Sequence, residues 1–175
     1  MEGNELARAA RAGSREAFAT LIRMNEAQLY AIARGILSSR TDVMDAVQEA
    51  ILLAYREVVK LREPAYFRTW LVRILINECR RVARHNRKII PVDRFHEGKN
   101  GSHELESDLE LMDLLNELDL EHKEIVVLFY LEDLSVKEIA SIVDLSESGV
   151  KSRLHRARLK LAMLMKDPVL KEELP

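Results

Sequence analysis

The chain has 175 residues, of which 47% are hydrophobic, so it can bury one core or two small ones. Its 27 basic and 29 acidic residues give a formal net charge of -2, which excludes a global attraction to nucleic acid or to an anionic membrane. No apolar run is long enough to span a bilayer, and the start lacks the apolar centre of a signal peptide. We therefore expect a cytoplasmic protein without direct membrane insertion, whose affinity for polyanions is confined to local surfaces.

The first part of the chain predicts a lobe built from helices. Ser14 can cap a helix whose apolar pattern continues to Leu37, with a break expected near Met24 to Ala27. A turn from Ser38 to Thr41 is expected to follow. These features indicate a helical bundle rather than a sheet.

A second helix is predicted from Asp42 to Leu61. Its inward positions are Val43, Ala46, Val47, Ala50, Leu53, Ala54 and Val58. Among its polar positions, Asp45, Gln48 and Glu49 lie about one turn apart and form a compact acidic patch. Spacing alone leaves two interpretations open for this patch, a solvated helix surface and a surface that binds a partner.

The third helix is expected from Ala65 to about Arg87, because Glu63 followed by Pro64 suits a helix start. Its inward stripe consists of Phe67, Leu71, Ile74, Leu75 and Val82. A second stripe is polar and mostly cationic, and it contains Thr69, Arg73, Asn77, Arg80 and Arg84. Such a row can hold a nucleic-acid backbone, and Asn77 can both donate and accept at a base edge.

Two other residues of this helix are expected in the core. Trp70 stands at helical spacing beside apolar residues, where an aromatic side chain packs more often than it stacks on a base. Cys79 is the single cysteine, so it cannot form an intramolecular disulfide. We predict that it is a small buried residue.

Charge is distributed along the chain in blocks. Residues 60–88 hold nine basic residues against two acidic ones, and residues 147–166 hold six against one. Between these blocks, residues 89–124 hold eleven acids against three bases, and the first part of this segment has Pro91, Gly98 and Gly101 and no helical period. The predicted fold is therefore all-α, with two small helical domains joined by a flexible linker.

The stretch from Leu134 to Leu161 predicts a helix-turn-helix. Ser135 and Glu138 form the pattern of a capping box, Asp144 suits a left-handed turn, and Ser146 can cap the second helix. The outward face of that helix is expected to carry Lys151, Ser152, His155 and Arg156, together with Arg153 and Arg158. A basic amphipathic helix can also be merely solvated, but the capping box, the turn and the spacing together favour DNA binding.

Three segments carry a resemblance to a known family. The stretches DVMDAVQEAILLAY, FRTWLVRILINECRR and LSVKEIASIVDLSESGVKSRLHRARLKL, in this order, resemble the extracytoplasmic-function class of bacterial RNA polymerase sigma factors. The resemblance implies a non-enzymatic transcription initiation factor. It also implies a region 2 domain over residues 1–88 that binds core polymerase and recognises and melts the minus-ten element. A linker over residues 89–108 and a region 4 domain over residues 109–175, which binds the minus-thirty-five element, would complete the chain.

The resemblance assigns roles to residues already singled out. Asp45, Gln48 and Glu49 match the segment that docks on the clamp helices of the largest polymerase subunit. The loop from Leu61 to Phe67 matches the one that captures a flipped base. Minus-ten contacts are expected from Arg62, Glu63, Tyr66, Phe67, Arg73, Asn77, Arg80 and Arg84. Upstream contacts are expected from Lys151, Ser152, Arg153, His155 and Arg156.

Two other hypotheses belong to different classes. The alternative is a stand-alone helix-turn-helix regulator that binds duplex DNA without polymerase, and the third hypothesis is an enzyme. The five histidines lack metal-ligand spacing and no glycine-rich phosphate loop is present, so we predict no catalytic residue, metal, cofactor or small-molecule substrate. The partners implied by the resemblance are bacterial core RNA polymerase, promoter DNA and an anti-sigma factor, which in relatives is often membrane-anchored.

Overall fold

The computed structural model describes residues 2–88 and 111–165, and every regular element within these two ranges is helical. The N-terminal domain contains α1 (Glu2–Arg11), α2 (Arg15–Ile36), α3 (Arg40–Glu57) and α4 (Phe67–Lys88). The C-terminal domain contains α5 (residues 111–116), α6 (Leu120–Val126), α7 (Val136–Val143) and α8 (Glu147–Met165). The all-α prediction is confirmed over these residues. The predicted linker, residues 89–108, lies outside them.

The first two helices differ from the prediction in two respects. Helix α1 was not predicted, yet it packs against α2 and against the loop before α4. Helix α2 begins after Ser14, whose hydroxyl accepts a hydrogen bond from the Ala17 amide, and it runs without interruption to Ile36. The break expected near Met24 to Ala27 is therefore wrong. This segment contains no glycine or proline, so a locally polar, exposed turn does not end the helix.

Helices α3 and α4 begin close to their predicted starts. Helix α3 starts two residues before Asp42, because the Ser39 hydroxyl accepts a hydrogen bond from the Asp42 amide, and it ends at Glu57, before the predicted Leu61. A 3-10 turn, Val58–Lys60, follows it. A second 3-10 turn, Pro64–Tyr66, precedes α4, and the Glu63 carboxylate caps it by accepting from the Ala65 amide.

The helix-turn-helix forms as predicted. The Ser135 hydroxyl accepts a hydrogen bond from the Glu138 amide, while the Glu138 carboxylate accepts from the Ser135 amide at 2.9 Å. The Ser135 hydroxyl also donates to the Glu138 carboxylate at 2.6 Å, and this bond, together with the one from the Ser135 amide, lowers the pKa of Glu138 because both stabilise its charged form. Asp144 ends α7 with φ 59° and ψ 48°, the left-handed conformation that aspartate tolerates. The capping-box and turn predictions are confirmed.

The two domains share one apolar core. Helix α7 packs on α4, and a π-helical turn, Val127–Leu131, packs on α2. The two domains approach closely at Gly35, where an added β-carbon would lie 2.6 Å from Cγ2 of the buried Val127. Glycine is therefore the residue that fits at this crossing. None of the helices within residues 2–88 and 111–165 is long and apolar enough to cross a membrane.

Candidate nucleic-acid interface

Helix α8 presents a polar outer face. Its core-facing side chains, Val150, Leu154 and Ala157, are buried. The exposed residues on the opposite face are Lys151, Ser152, His155 and Arg156. The Ser146 hydroxyl accepts a hydrogen bond from the Gly149 amide at 3.1 Å, which fixes the start of the helix as predicted. The face is rich in donors that can address acceptors on purine edges in a major groove.

Two arginines of α8 do not lie free on this face. Arg153 is half-buried and pairs with Glu121 at 3.1 Å. The Arg158 guanidinium lies 5.6 Å from the centre of the Phe129 ring and 5.5 Å from that of Tyr130, and it donates a hydrogen bond to the Tyr130 hydroxyl. The expectation that both point outward is therefore corrected, since each is held by a partner in its own domain. The assignment of Arg153 to the upstream element stays a prediction.

The cationic row of α4 forms, but the C-terminal domain covers its middle. Arg73 donates to both carboxylate oxygens of Asp144, at 2.7 and 2.8 Å. Arg80 binds both oxygens of Glu124, at 2.9 and 2.7 Å. Asn77 and Arg84 remain exposed, while Thr69 is half-buried. The sequence contained no local signal for the two carboxylate partners, because they lie 44 and 71 positions further along the chain.

Burial dominates the electrostatics of the Arg80 and Glu124 pair. The Glu124 side chain is 1% exposed and that of Arg80 is 20% exposed. Burial raises the pKa of Glu124, and the hydrogen bond and charge of Arg80 only partly oppose it. The same hydrogen bond raises the pKa of Arg80, which therefore stays charged. The pair consequently depends on both partners, because either charge alone would be buried without compensation.

The loop before α4 is anchored from outside and presents one aromatic side chain. Arg11 donates a hydrogen bond to the carbonyl oxygen of Arg62 at 3.1 Å. The sequence did not predict this contact, because it did not predict α1, the helix that carries Arg11. Within the loop Arg62, Glu63 and Tyr66 are exposed, and Tyr66 retains 67% exposure. Phe67 is buried, with its ring 6.5 Å from that of Phe18 in an edge contact. Its expected contact with the minus-ten element is therefore not available in this structure.

Helix α3 carries the acidic patch next to apolar groups. Asp45 and Gln48 are exposed and Glu49 is half-buried. Helical spacing places Met44, Leu52 and Tyr55 on the same side of the helix, and these three are 42%, 49% and 44% exposed. The sequence showed the charges, but the apolar members at the same spacing were missed. The face therefore combines carboxylates with apolar contact area, a composition suited to a protein partner.

The remaining chemistry of the described residues is limited. Over residues 2–88 and 111–165, no group of three or more His, Cys, Asp or Glu is placed to hold a metal ion. Cys79 is buried as predicted, and burial raises the pKa of its thiol to about 12. The thiol is therefore protonated at neutral pH.

Comparison with known proteins agrees with both halves of the fold. The family profile described as Sigma-70 region 2 matches residues 21–89, and the one described as Sigma-70, region 4 matches residues 108–161. The ECF RNA polymerase sigma factor SigM of Mycobacterium tuberculosis is 34% identical over 167 residues, covering 92% of this chain and 83% of that protein. The predicted family resemblance is thus confirmed.

Two solved structures have similar folds. The structure of CnrH in complex with the cytosolic domain of CnrY matches with a TM-score of 0.76 and 28% identity, covering 96% of this chain and 99% of that chain. CnrH is an RNA polymerase sigma factor of Cupriavidus metallidurans. The sigma factor RpoE of Bartonella quintana, in complex with the anti-sigma factor NepR, matches in fold with a TM-score of 0.71 and 24% identity, covering 86% and 98%. The chain belongs to the extracytoplasmic-function (ECF) family of RNA polymerase sigma factors.

Proposed function

We propose that this sigma factor binds bacterial core RNA polymerase and reads a promoter at two places, with residues 1–88 at the minus-ten element and residues 109–175 at the minus-thirty-five element. Residues 89–108 would connect the two domains along the polymerase. The observation that carries the proposal is the exposed, donor-rich face of α8 on a chain that also has a region 2 domain. A stand-alone regulator would have no use for the second domain.

Upstream recognition falls to α8. Lys151, Ser152, His155 and Arg156 lie on its outer face and can enter a major groove as the second helix of the helix-turn-helix. Arg153 would contact the upstream element only after its ion pair with Glu121 breaks. Lysine binds phosphate as a point charge and lacks the planar fork of arginine, so Lys151 supplies attraction more than base discrimination.

Promoter melting falls to α4 and the preceding loop. A flipped base needs a partner surface that offsets the loss of stacking, about a few kcal/mol per base. Exposed Tyr66 offers such a surface next to Arg62 and Glu63. Asn77 and Arg84 are accessible to the displaced strand, whereas Arg73 and Arg80 must first leave their carboxylates. Phe67 would support the loop from within the core.

Polymerase binding falls to α3. Asp45, Gln48 and Glu49 supply hydrogen-bond acceptors, and the neighbouring exposed apolar side chains supply contact area. The acids would meet basic residues of the clamp helices, which would steer the encounter. Charge reversal at Asp45 should therefore weaken assembly with core polymerase more than its replacement by asparagine.

We also propose control by an anti-sigma factor in the cytoplasm. CnrH, which is similar to this chain over 96% of its length, was solved bound to the cytosolic domain of CnrY. Binding of a comparable partner here would block surfaces that polymerase needs. Whether that partner is anchored in a membrane is a separate property of the partner, to be tested by its isolation.

Transcription with purified core polymerase on a promoter library tests the proposal. The expected result is initiation at a restricted set of promoters that depends on this protein. A protein that shifts duplex DNA strongly by itself and never supports initiation would instead be a stand-alone regulator. An Asp45→Asn variant and an Asp45→Lys variant, compared with Asp113→Asn on α5 as a matched control, locate the polymerase contact.

A further inference from the structure

A residue of α1 holds the outer side of the loop before α4, residues 61–67. The Nη1 atom of Arg11 donates to two successive carbonyl oxygens, that of Arg62 at 3.1 Å and, more weakly, that of Leu61 at 3.5 Å. We propose that Arg11 is a positioning residue for base capture, which fixes the backbone of the loop so that its exposed side chains keep the arrangement that receives a flipped base. This inference rests on the proposed function, since it assumes that the loop captures a base of the minus-ten element.

Core packing fixes the inner side of the loop. Leu61, Pro64 and Phe67 are buried, so every third residue is held by the core. The Phe67 ring makes an edge contact with that of Phe18, with ring centres 6.5 Å apart. The residues between these three are exposed, and their positions depend on contacts outside the core.

Arg62 lies at the point of the loop that core packing does not hold. Leu61 before it is extended, with φ -60° and ψ 114°. Glu63 after it is extended too, with φ -125° and ψ 108°, as steric contact with Pro64 favours for the residue before a proline. Rotation about the backbone bonds of Arg62 would redirect its own side chain and that of Glu63. Arg11 binds the carbonyl oxygen of this residue and so opposes that rotation.

The end of α1 directs Arg11 towards the loop. Ala10 is 2% exposed, because α1 packs against α2 and against both 3-10 turns. The Gly13 amide donates to the Ala10 carbonyl oxygen at 3.0 Å. The Ser14 amide donates to the Ala9 carbonyl oxygen at the same distance, which completes a Schellman motif with Gly13 at φ 102°. Arg11 is therefore the last residue of a helix whose packing and end are both fixed.

Two simpler roles for Arg11 predict different behaviour. A basic residue in the last turn of a helix interacts favourably with the helix dipole, and Arg8 shares that turn. An arginine can also contact a DNA phosphate directly, and such a contact does not depend on the base. The positioning role differs from both, because it affects only the part of binding that depends on the captured base.

Three variants separate these roles. Arg11→Met removes the donors and keeps an apolar stem, whereas Arg11→Lys keeps the charge and can donate to one carbonyl oxygen. Arg8→Met is the matched control, because Arg8 is exposed in the same turn and makes no hydrogen bond or ion pair with residues 2–88 or 111–165. Circular dichroism and thermal unfolding show whether each variant is folded.

Amide hydrogen exchange on the full chain measures how firmly the loop is held. The Ala65 and Tyr66 amides donate to the carboxylate and to the carbonyl oxygen of Glu63. Arg11→Met should speed exchange at these two amides several-fold, while exchange in α3 and α4 stays at the parental rate. Arg8→Met should match the parent throughout. Parental exchange of the loop in Arg11→Met overturns the inference.

Base capture is measured with holoenzyme reconstituted from core polymerase. The probes are single-stranded oligonucleotides with the non-template sequence of a minus-ten element found by start-site mapping, each with one abasic position. The ratio of the affinities for the intact and the abasic oligonucleotide is the contribution of that base. The captured base is the one whose contribution is lost in Tyr66→Ala, because Tyr66 is the exposed aromatic residue of the loop.

In the parent the captured base should contribute about tenfold to affinity, as expected of one stacked base. Arg11→Met should lose most of this contribution and keep parental affinity for the abasic oligonucleotide. Arg11→Lys should give an intermediate ratio and Arg8→Met the parental one. An equal loss for both oligonucleotides in Arg11→Met indicates a phosphate contact and overturns the inference, as does a parental ratio.

The proposed function is judged by the parent in the same assay. A parent in which no base depends on Tyr66 contradicts capture by the loop, and the inference falls with it. A contribution that depends on Tyr66 and survives in Arg11→Met overturns the role of Arg11 alone.

Discussion

Arg80 of α4 and Glu124 of α6 form a two-bond ion pair across the boundary between the domains, with the Glu124 side chain 1% exposed. The carboxylate has no access to water that would replace the arginine. Burial therefore raises the pKa of Glu124 while the ion pair with Arg80 lowers it. The stability of the packed domains consequently depends on whether Glu124 is charged.

Arg80→Ala should lower the free energy of unfolding by roughly 3 kcal/mol at pH 7, because it leaves Glu124 buried without a partner. Burial already raises the pKa of Glu124, and removal of Arg80 takes away an influence that lowers it. A carboxyl group whose pKa is raised in the folded state adds stability at pH values below its unfolded-state pKa. This stability is lost as pH rises through the folded-state pKa. The deficit should therefore be smaller at pH 5 than at pH 7.

Urea unfolding at both pH values measures this difference. Lys60→Ala is the matched control, because Lys60 is 70% exposed and its partner Glu57 is 46% exposed. The free energy of unfolding of this control variant should fall by no more than about 1 kcal/mol. An Arg80→Ala deficit that is the same at pH 5 and pH 7 would show that an uncompensated Glu124 charge is not its cause.

Ser135→Ala should reduce the unfolding free energy by about 1 kcal/mol, because the amide of Glu138 loses its hydroxyl acceptor at the start of α7. The variant should also raise the pKa of Glu138 toward its ordinary value. In the parent, the lowered pKa of Glu138 adds stability at pH values above the unfolded-state pKa. This stability is lost as pH falls through the folded-state pKa. Ser141→Ala, exposed on the same helix, should change little in urea unfolding. Equal effects of the two substitutions would argue against the capping box.

Cys79 should resist iodoacetamide at pH 8 in the native protein. Burial raises the pKa of its thiol to about 12, so the reactive thiolate is scarce as well as inaccessible. Mass spectrometry should find one alkylation in urea and none in buffer. Rapid native labelling would mean that α4 opens readily and would remove Cys79 from the core.

Arg156 and Arg158 should behave differently although both lie on α8. Arg156→Ala removes an exposed cation and should weaken upstream duplex binding and lower its salt dependence by about one phosphate contact, without loss of stability. Arg158→Ala removes contacts with Phe129 and Tyr130 and should destabilise the domain by about 1 kcal/mol. Filter binding at several salt concentrations, with thermal unfolding, separates the two effects. A larger binding loss for Arg158→Ala would contradict the placement.

Local features were predictable from the sequence because their causes are local. Ser135, Glu138 and Asp144 are within ten positions of one another, and caps and turns depend on such neighbours. The partners of Arg73 and Arg80 were not predictable, because a stripe of cations has the same spacing whether it faces solvent or a second domain. Gly35 likewise had no signal in the sequence, since its reason is Val127, far along the chain.

The expectations about α8 show the same limit. Helical spacing correctly separated buried Val150 and Leu154 from exposed Lys151. It could not show that Arg158 stacks on aromatic residues of the π-helical turn, because that turn is itself a departure from regular helix. The residues assigned to DNA and polymerase stay predictions that the experiments decide.

Mapping transcription start sites with holoenzyme reconstituted from core polymerase and this chain tests the central claim most directly. The account predicts that the aligned sites reveal two sequence elements, near minus ten and minus thirty-five, and that Arg156→Ala lowers initiation without changing the minus-ten element. Transcripts that require the protein but share no pair of upstream elements, or an absence of initiation with active core polymerase, would contradict it.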